Sequence, residues 1–354
     1  MSSNFKYFKK KKEIPIDKFF EDVLYNSKYG YYNKEFPFGA KGDFITSPSI
    51  SSLFGEMIAI WMIAFWENLK KPKKFNIVEL GPGDAKLTKV LLNTFKKFPQ
   101  FNKSFSLFLY EKSYSLKKIQ RKHLIKEKIK WISNLNRIDN GPTIFFGNEF
   151  LDAIPIKQFK RINKTMFEKY IILNKQKKIQ EIFKKAKKKY LFEINKFKAL
   201  KKSNFIEYPR LGFKTLELIS RKVKKNGGGI LLIDYGYIKH INLNTLQSVK
   251  NHKKNNLFEN LGCADITSLV NFSLLKEFFL KKNLNVEKVV TQSFFLKRLG
   301  IINRAEILSS KMNFKEKSSM YLRLKRLMDP NLMGNLFKVI FAYKKKNEKI
   351  NGFY

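Results

Sequence analysis

The clearest chemical pattern in the sequence is an acidic residue followed by a glycine loop, Glu79–Asp84, with the sequence Glu-Leu-Gly-Pro-Gly-Asp. An apolar run precedes this loop and a stretch with helical spacing follows it, so the loop is predicted to join a strand to a helix. Glycines at such a turn let the backbone approach a ligand with its amides free, and a helix N-terminus attracts a negatively charged group. The residues predicted to bind a small molecule here are Glu79, Gly81, Pro82, Gly83 and Asp84.

Polar side chains also follow the other apolar runs. Glu111 comes about thirty residues after the loop, where a carboxylate can accept both hydroxyl groups of a ribose. Asn148, Glu149 and Asp152 follow the next run, and Asp234 follows the one after it. Ligands of open α/β sheets bind beyond the carboxyl ends of the strands, so we expect all these side chains to face one crevice.

Several interpretations of the glycine loop compete. A dinucleotide site favours a third glycine where Ala85 stands, a P-loop needs a Gly-Lys-Ser/Thr ending that is absent, and a tight turn can be purely structural. The pattern Glu-x-Gly-x-Gly followed by an acid resembles the first motif of S-adenosylmethionine methyltransferases, whose ligand has no pyrophosphate. The resemblance implies S-adenosylmethionine as the cofactor.

The chain has only 29 acidic residues, yet several of them are predicted to face this crevice. Their negative charge has a physical role there. A sulfonium methyl donor is a cation, and a cationic substrate is repelled by it and by a lysine-rich surface. Carboxylates offset this repulsion far more in a dry cleft than in water. For Asp152, capping the helix that follows is the structural alternative.

The elements that position these residues follow from periodicity. Short apolar runs, typical of strands buried on both faces, alternate with stretches of helical spacing, which predicts a mostly parallel, doubly wound α/β sheet. The predicted strands are Phe75–Leu80, Ser106–Tyr110, Thr143–Gly147, Gly229–Ile233 and Phe337–Tyr343, and the predicted helices are Ile16–Tyr25, Ser51–Trp66, Leu87–Lys97 and Leu116–Lys128.

The chain is predicted to have an N-terminal extension and a core with two insertions. Residues 1–70 are predicted to form an N-terminal helical extension whose Gly- and Pro-rich loop acts as a lid, with Asp43 closing over the cofactor. An Asx-type turn is the alternative role for Asp43. Residues 71–354 form the core, with a β-rich or mixed insertion at about 156–207 and a helical one at about 294–335.

The net charge of +43 raises the possibility of a nucleic-acid partner. Of the 72 basic residues, however, 63 are lysine and nine are arginine, whereas phosphate and base recognition favours the guanidinium fork. The lysines are also spread along the chain. We therefore interpret the charge as a solvated surface and disfavour a nucleic-acid partner.

Cysteine and histidine are too scarce for a disulfide framework or a metal site. Cys263 is the only cysteine, and the histidines are His123, His240 and His252. No secretory signal follows the N-terminal lysines, and the apolar segment at 53–66 is too short to span a bilayer. These features predict a reducing location, the cytoplasm, or the mitochondrial matrix in a eukaryote.

Taken together, the motifs resemble the MidA-like family of S-adenosylmethionine-dependent methyltransferases, whose mitochondrial members assist the assembly of respiratory complex I. The resemblance covers nearly the whole chain. Its segments are Tyr31-Tyr32, Gly42–Pro48, Leu53–Glu56, Glu79–Gly83, Asn148–Pro155, Ile233–Gly236, Ala264–Thr267 and Met333–Lys338.

The resemblance implies a Rossmann-like class I methyltransferase fold and, for the mitochondrial members, methylation of an arginine on a complex I subunit. Carried over by position, the glycine loop and Glu111 bind the cofactor, and Asn148, Glu149 and Asp152 lie beside the transferred methyl. The chain departs from the family at five positions, which are Ala85, Ser49, Cys263, Leu269 and Asn271.

An arginine acceptor would need a base, because its guanidinium is protonated at neutral pH. Glu149 is predicted to take this role with Asp152 as its partner, and His252 is the other candidate base, with a solvated loop histidine as the alternative. Two rival functions stay open. One is a non-catalytic assembly factor with a methyltransferase-like fold, and the other is a nucleic-acid methyltransferase.

Overall fold

The computed structural model describes residues 5–8, 12–33, 52–239, 241–344 and 350–354. Two compact units divide the chain. Unit 1 comprises Met1–Phe44, Leu151–Leu216 and Tyr237–Phe278, and unit 2 comprises Ile45–Phe150, Glu217–Gly236 and Phe279–Tyr354.

The described chain contains both helices and strands. The helices are α1 (Phe5–Phe8), α2 (Ile16–Tyr25), α3 (Ser52–Asn68), α4 (Lys86–Phe95), α5 (Pro99–Ser104), α6 (Tyr114–His123), α7 (Lys188–Asn195), α8 (Arg210–Asn226), α9 (Phe272–Lys281), α10 (Gln292–Arg298), α11 (Ile301–Ser309), α12 (Phe314–Met328) and α13 (Met333–Leu336). The strands are β1 (Glu13–Pro15), β2 (Phe75–Leu80), β3 (Phe105–Tyr110), β4 (Ile129–Ile132), β5 (Thr143–Asn148), β6 (Lys157–Ile162), β7 (Thr165–Leu173), β8 (Ile179–Lys185), β9 (Phe205–Tyr208), β10 (Gly228–Tyr237), β11 (Gln247–Lys250), β12 (Lys253–Asn255), β13 (Asp265–Thr267), β14 (Val270–Asn271), β15 (Asn285–Val286), β16 (Val290–Thr291) and β17 (Phe337–Tyr343).

Unit 2 is built on a mostly parallel sheet, in which the strands follow the order β15, β17, β10, β5, β2, β3, β4. The neighbours from β10 to β4 are parallel, and β17 runs antiparallel to β10. The β2 side chains are buried along the whole strand, including the polar Asn76 and Glu79, as its mostly apolar pattern predicts. This sheet confirms the predicted α/β class and places the carboxyl ends of β2, β3 and β5 at one edge.

The apolar segment at 53–66 lies in α3, a core helix of unit 2. Trp61 stacks on Phe65 with ring centroids 5.6 Å apart and meets Phe341 of β17 edge to face at 4.9 Å. No helix within the described ranges is long and apolar enough to cross a membrane.

Unit 1 contains two antiparallel sheets. In the larger sheet β7 pairs with β8 along one side and with β6 and β1 along the other, and β9 pairs with β6. The smaller sheet has the order β12, β11, β13. The strands β6 to β9 and helix α7 occupy the predicted insertion at about 156–207, and α10 to α13 occupy the one at about 294–335. The division into an extension at 1–70 and a core at 71–354 stays a prediction.

A buried charge cluster lies within unit 1. Lys157 Nζ of β6 is 2.9 Å from Asp17 Oδ1 of α2 and 2.5 Å from Glu168 Oε1 of β7, and it lies over the Tyr190 ring. All three charged residues are buried. Burial alone would lower the pKa of Lys157, but the two carboxylates raise it, so the ammonium stays charged.

Replacing Lys157 with methionine is expected to lower the free energy of unfolding by about 3–5 kcal/mol, because two buried carboxylates would lose their cation. Lys184→Met is the matched control, since its pair with Glu13 is exposed and is worth less than about 1 kcal/mol. Urea unfolding of both variants measures the difference. Equal losses in the two variants would contradict the assigned role of the cluster.

One strand is longer than its sequence pattern predicts. The predicted strand Gly229–Ile233 ends before Asp234, but β10 continues to Tyr237. Asp234 lies opposite Lys338 in the antiparallel pairing with β17, and it is buried. The expectation that Asp234 marks the end of this strand is therefore wrong, because pairing with β17 extends the strand beyond its apolar run.

Candidate functional site

The glycine loop connects β2 to α4 in unit 2, as predicted. Gly81, Gly83 and Ala85 have φ values of 65°, 55° and 63°, so the loop visits the left-handed region three times in five residues. Gly81 N donates to Tyr110 O at the end of β3, and Ala85 N donates to Pro82 O. The third left-handed position is thus filled by a buried alanine rather than a glycine, at a cost of about 1–2 kcal/mol.

The start of the loop has little room for a side chain. A Cβ atom on Gly81 would lie 3.1 Å from Cδ2 of Phe150, and the positive φ would add strain. After the loop, Lys86 N donates to Asp84 Oδ1 where α4 begins. The loop therefore brings its backbone close to neighbouring atoms in the way its glycines predict.

Glu79 lies near the end of β2 and is 3% exposed. Its Oε2 accepts a hydrogen bond of 2.6 Å from Thr88 Oγ1 of α4. Burial raises the pKa of Glu79 to about 7, with the Thr88 hydrogen bond opposing and Asp84 adding to the shift. Glu79 is therefore poised to change charge near neutral pH when a cation approaches.

Glu111 follows β3 directly and is held by hydrogen bonds on both oxygens. Ser113 N donates to Oε1 at 2.7 Å, and Gln120 Nε2 lies 3.3 Å from Oε2. Burial raises the pKa of Glu111, while these hydrogen bonds oppose the shift. The carboxylate is fixed at the edge where the sequence predicts a ribose ligand.

Gln120 links Glu111 to the glycine loop, and sequence reasoning missed it. Its Nε2 also donates to Gly83 O at 2.9 Å, and Trp131 Nε1 donates to its Oε1 at 3.1 Å. The sequence does contain an indication that Gln120 is buried, because it lies four residues after Leu116 on the same face of α6. A polar residue on an apolar helix face is an indication of a buried hydrogen-bond network.

Asn148 and Glu149 occupy the end of β5 in the same unit. Asn148 Nδ2 donates to Glu149 Oε1 at 3.1 Å, and the buried Asn148 Oδ1 has no hydrogen-bond partner among the described residues. Glu149 has a φ of 52°, and its N donates to Ile233 O of β10. A non-glycine residue in the left-handed region costs about 1–3 kcal/mol and is typical of functional sites.

The structure groups the predicted site residues unevenly. Unit 2 brings together the glycine loop, Glu111, Asn148 and Glu149 at the carboxyl edge of its sheet. Asp152 is buried in unit 1, where its carbonyl accepts a hydrogen bond from Ser268 N. Asp43 lies outside the described residues.

His252 also belongs to unit 1, in the two-residue turn between β11 and β12. Asn251 and His252 both have positive φ values, 51° and 61°, as a tight hairpin turn requires. The histidine is exposed. This position gives His252 a turn role and lends no support to the predicted role as a base.

The departures from the family resemblance lie in different places. Leu269 and Asn271 line a cleft within unit 1, and Cys263 is exposed. Ala85 adopts the left-handed conformation described above. Ser49 lies outside the described residues. In the part of the chain that the structure describes, no group of three or more His, Cys, Asp or Glu residues could hold a metal ion.

Comparison with known proteins gives one family match and several relatives. Residues 57–290 match the family described as "Putative S-adenosyl-L-methionine-dependent methyltransferase". The mitochondrial protein arginine methyltransferase NDUFAF7 homolog of Caenorhabditis elegans is 33% identical over 300 residues, 78% of this chain and 70% of that protein. Human mitochondrial protein arginine methyltransferase NDUFAF7 is 29% identical over 349 residues, 92% of this chain and 78% of that protein.

The fold also matches a solved structure along nearly its whole length. A Burkholderia thailandensis protein, crystallised with S-adenosyl-homocysteine bound, superposes with a TM-score of 0.83 and 20% identity. The match covers 99% of this chain and 93% of that chain. At this identity the match shows a shared fold.

Proposed function

Because the chain belongs to this family of S-adenosylmethionine-dependent methyltransferases, we propose that it methylates an arginine side chain of a protein substrate. The family identifies the cofactor and the class of reaction, whereas the identity of the methyl acceptor is a proposal. The observation that carries the proposal is Glu149, a carboxylate held in a strained backbone conformation at the edge where the glycine loop and Glu111 lie. The relatives named arginine methyltransferases support the choice of acceptor.

The residues of unit 2 fit the cofactor. The turn at Gly81 admits no side chain, since a Cβ there would lie 3.1 Å from Phe150 Cδ2, so its backbone stays uncovered, and Asn148 Oδ1 is a buried acceptor without a partner among the described residues. We assign the methionine part to Glu79, the glycine loop and Asn148, and the ribose to Glu111. When bound, S-adenosylmethionine supplies a methyl group on a positively charged sulfur, which a nitrogen nucleophile can displace.

The protein's part in the reaction is to orient the acceptor and to remove one proton. A protonated guanidinium has delocalised lone pairs, so a carboxylate that binds it concentrates electron density on the nitrogen that reacts. In the proposed mechanism Glu149 binds the guanidinium and accepts the proton that the methylated nitrogen loses. Asp152 is proposed as the second carboxylate.

A direct test incubates the protein with radiolabelled S-adenosylmethionine and matched peptides that contain either one arginine or one lysine. Label on the arginine peptide alone, located by mass spectrometry, is the expected result. Cofactor binding without transfer to any peptide or to protein from a lysate would favour the non-catalytic assembly factor. Label on RNA or DNA, with binding that falls steeply with salt, would favour a nucleic-acid methyltransferase.

Cofactor affinity is expected to rise with pH between about 6 and 8. Without ligand, the pKa of Glu79 is about 7, and a bound cation stabilises the ionised carboxylate, so binding near neutral pH releases a proton. The contribution of Glu79 to stability has the opposite trend, since it is present below its ordinary pKa of 4.5 and lost as pH rises through about 7.

Calorimetry in two buffers of different ionisation enthalpy counts the protons released on binding. Glu79→Gln is the control, because it keeps the acceptor for Thr88 but cannot ionise. Its affinity is expected to stay flat over this pH range. The same pH dependence in the variant would assign the titration to another group.

The finer expectations about partner and location are also proposals. A subunit of respiratory complex I is the proposed substrate, on the strength of the family resemblance. The relatives' names place them in mitochondria, so we propose the mitochondrial matrix if the source is a eukaryote. The expected cytoplasmic location receives no support from those names.

A further inference from the structure

We propose that Thr88 of α4 is a positioning residue for cofactor binding, whose hydroxyl holds the Glu79 carboxylate in place and favours its ionised form. Both residues belong to unit 2. The inference rests on the proposed assignment of Glu79 to the methionine part of the cofactor. It goes beyond that assignment, because it identifies the residue that prepares Glu79 for the ligand.

Thr88 is a polar residue at a position where an apolar one would serve for packing. It is the third residue of α4, is 0% exposed, and is buried together with Leu91, Leu92 and Phe95 of the same helix. A buried hydroxyl without a hydrogen-bond partner is unfavourable, so a threonine here needs an acceptor. That acceptor is Glu79 Oε2, at 2.6 Å from Thr88 Oγ1.

The two threonines of α4 use their hydroxyl groups differently. A threonine in a helix often donates to a backbone carbonyl of the preceding turn, and Thr94 does so, with its Oγ1 2.9 Å from Val90 O. Thr88 donates instead to a side chain of β2. Its hydroxyl therefore connects the helix after the glycine loop with the strand before that loop.

This hydrogen bond engages one oxygen of the Glu79 carboxylate. Oε2 accepts from Thr88, and no residue that the structure describes donates a hydrogen bond to Oε1. The partners of Glu79 in the two neighbouring strands are apolar, Leu109 of β3 and Phe146 of β5. The carboxylate is thus oriented through Oε2, and Oε1 can bind the ammonium group of the cofactor's methionine part.

The surroundings of Glu79 otherwise oppose its negative charge. Burial and the charge of Asp84 raise its pKa, whereas the Thr88 hydrogen bond lowers it. Asp84 is itself paired with Lys86, whose Nζ lies 2.7 Å from Asp84 Oδ2. The residues that directly follow β3 and β5 are also acidic, namely Glu111 and Glu149. Thr88 therefore supplies a donor to a carboxylate in an acidic part of the sheet edge.

Thr88→Val tests the proposal, because valine has nearly the same shape but no donor. Calorimetry with the full-length protein measures the affinity for S-adenosyl-homocysteine between pH 6 and 9. This ligand carries the same amino-acid group, and its own ionisation cancels in the ratio of variant to wild-type affinity. The midpoint of the affinity–pH curve is expected to move up by about one pH unit, which weakens binding about fivefold at pH 7 and less than about 1.5-fold at pH 9.

Three further variants separate this role from a general effect on stability. Thr88→Ala also lacks the donor and is expected to shift the curve like Thr88→Val. Thr88→Ser keeps the donor but loses a buried methyl group, so it is expected to keep the wild-type curve. Thr94→Val removes a hydroxyl that bonds only its own helix, and it is also expected to keep the wild-type curve. Urea unfolding measures the stability of each variant.

The outcomes distinguish the proposal from the assignment on which it rests. Wild-type curves for Thr88→Val and Thr88→Ala, or an equal shift in Thr88→Ser or Thr94→Val, would overturn the role of Thr88. If Glu79→Gln keeps the pH dependence of the wild-type protein, the assignment of Glu79 fails and the role of Thr88 fails with it. If Glu79→Gln abolishes the dependence and Thr88→Val does not shift it, only the role of Thr88 fails.

Discussion

Replacing Glu149 with glutamine is expected to lower the rate of methyl transfer about 10²- to 10⁴-fold while cofactor affinity changes little. The amide keeps the size of the side chain and an oxygen that can accept from Asn148 Nδ2, but it cannot take a proton from the acceptor nitrogen. Single-turnover measurements with labelled cofactor give the rate of the chemical step, and calorimetry gives the affinity.

The backbone of Glu149 supplies a control for folding. Its φ of 52° suits glycine, so Glu149→Gly removes the carboxylate and relieves strain at the same time. We expect this variant to be inactive and at least as stable as the wild-type protein in urea unfolding. Full activity in either variant would remove Glu149 from the mechanism.

Replacing Gly81 with valine is expected to weaken S-adenosylmethionine binding at least about 100-fold. A side chain there would meet the Phe150 ring, and a β-branched residue strongly resists the φ of 65°. The turn would have to open, which moves the amides of the loop away from the ligand. Calorimetry of the purified variant measures this loss directly.

Gly300 is the matched position for this change. Its φ is 83°, and a Cβ there would meet no atom within 4 Å. Gly300→Val therefore carries the same kind of backbone strain without a clash and far from the glycine loop in sequence. We expect it to lose stability but to bind the cofactor normally. A similar loss of affinity in both variants would mean that the effect of Gly81→Val is only general destabilisation.

The sequence predicts the parallel sheet well because its strands are buried on both faces. Such strands read as mostly apolar runs, and the bounds of β2 and β17 are the predicted ones. The end of each run also places the polar residue that follows it, so the positions of Glu79, Glu111 and Asn148 in the fold were predictable. The positions of the glycines predicted the turn between β2 and α4 in the same way.

What the sequence could not predict depends on partners distant in the chain. Lys157 is buried with Asp17, which lies 140 residues away, and nothing in the local pattern of either residue pairs them. His252 was considered as a base because histidine is chemically versatile, but its position is set by a hairpin turn that the polar sequence around it did not reveal. The strand β10 continues beyond the end of its apolar run because β17 pairs with it there.

The Gln120 bridge has a consequence for how this site can change over evolutionary time. One amide group touches both the Gly83 carbonyl and the Glu111 carboxylate, so the glycine loop and the residue after β3 share an anchor. Substitutions at the two places should therefore be non-additive, with a second loss costing less once the first has freed Gln120. Sequence change in either segment is therefore constrained by the other segment, although Gly83 and Glu111 are 28 residues apart in the chain.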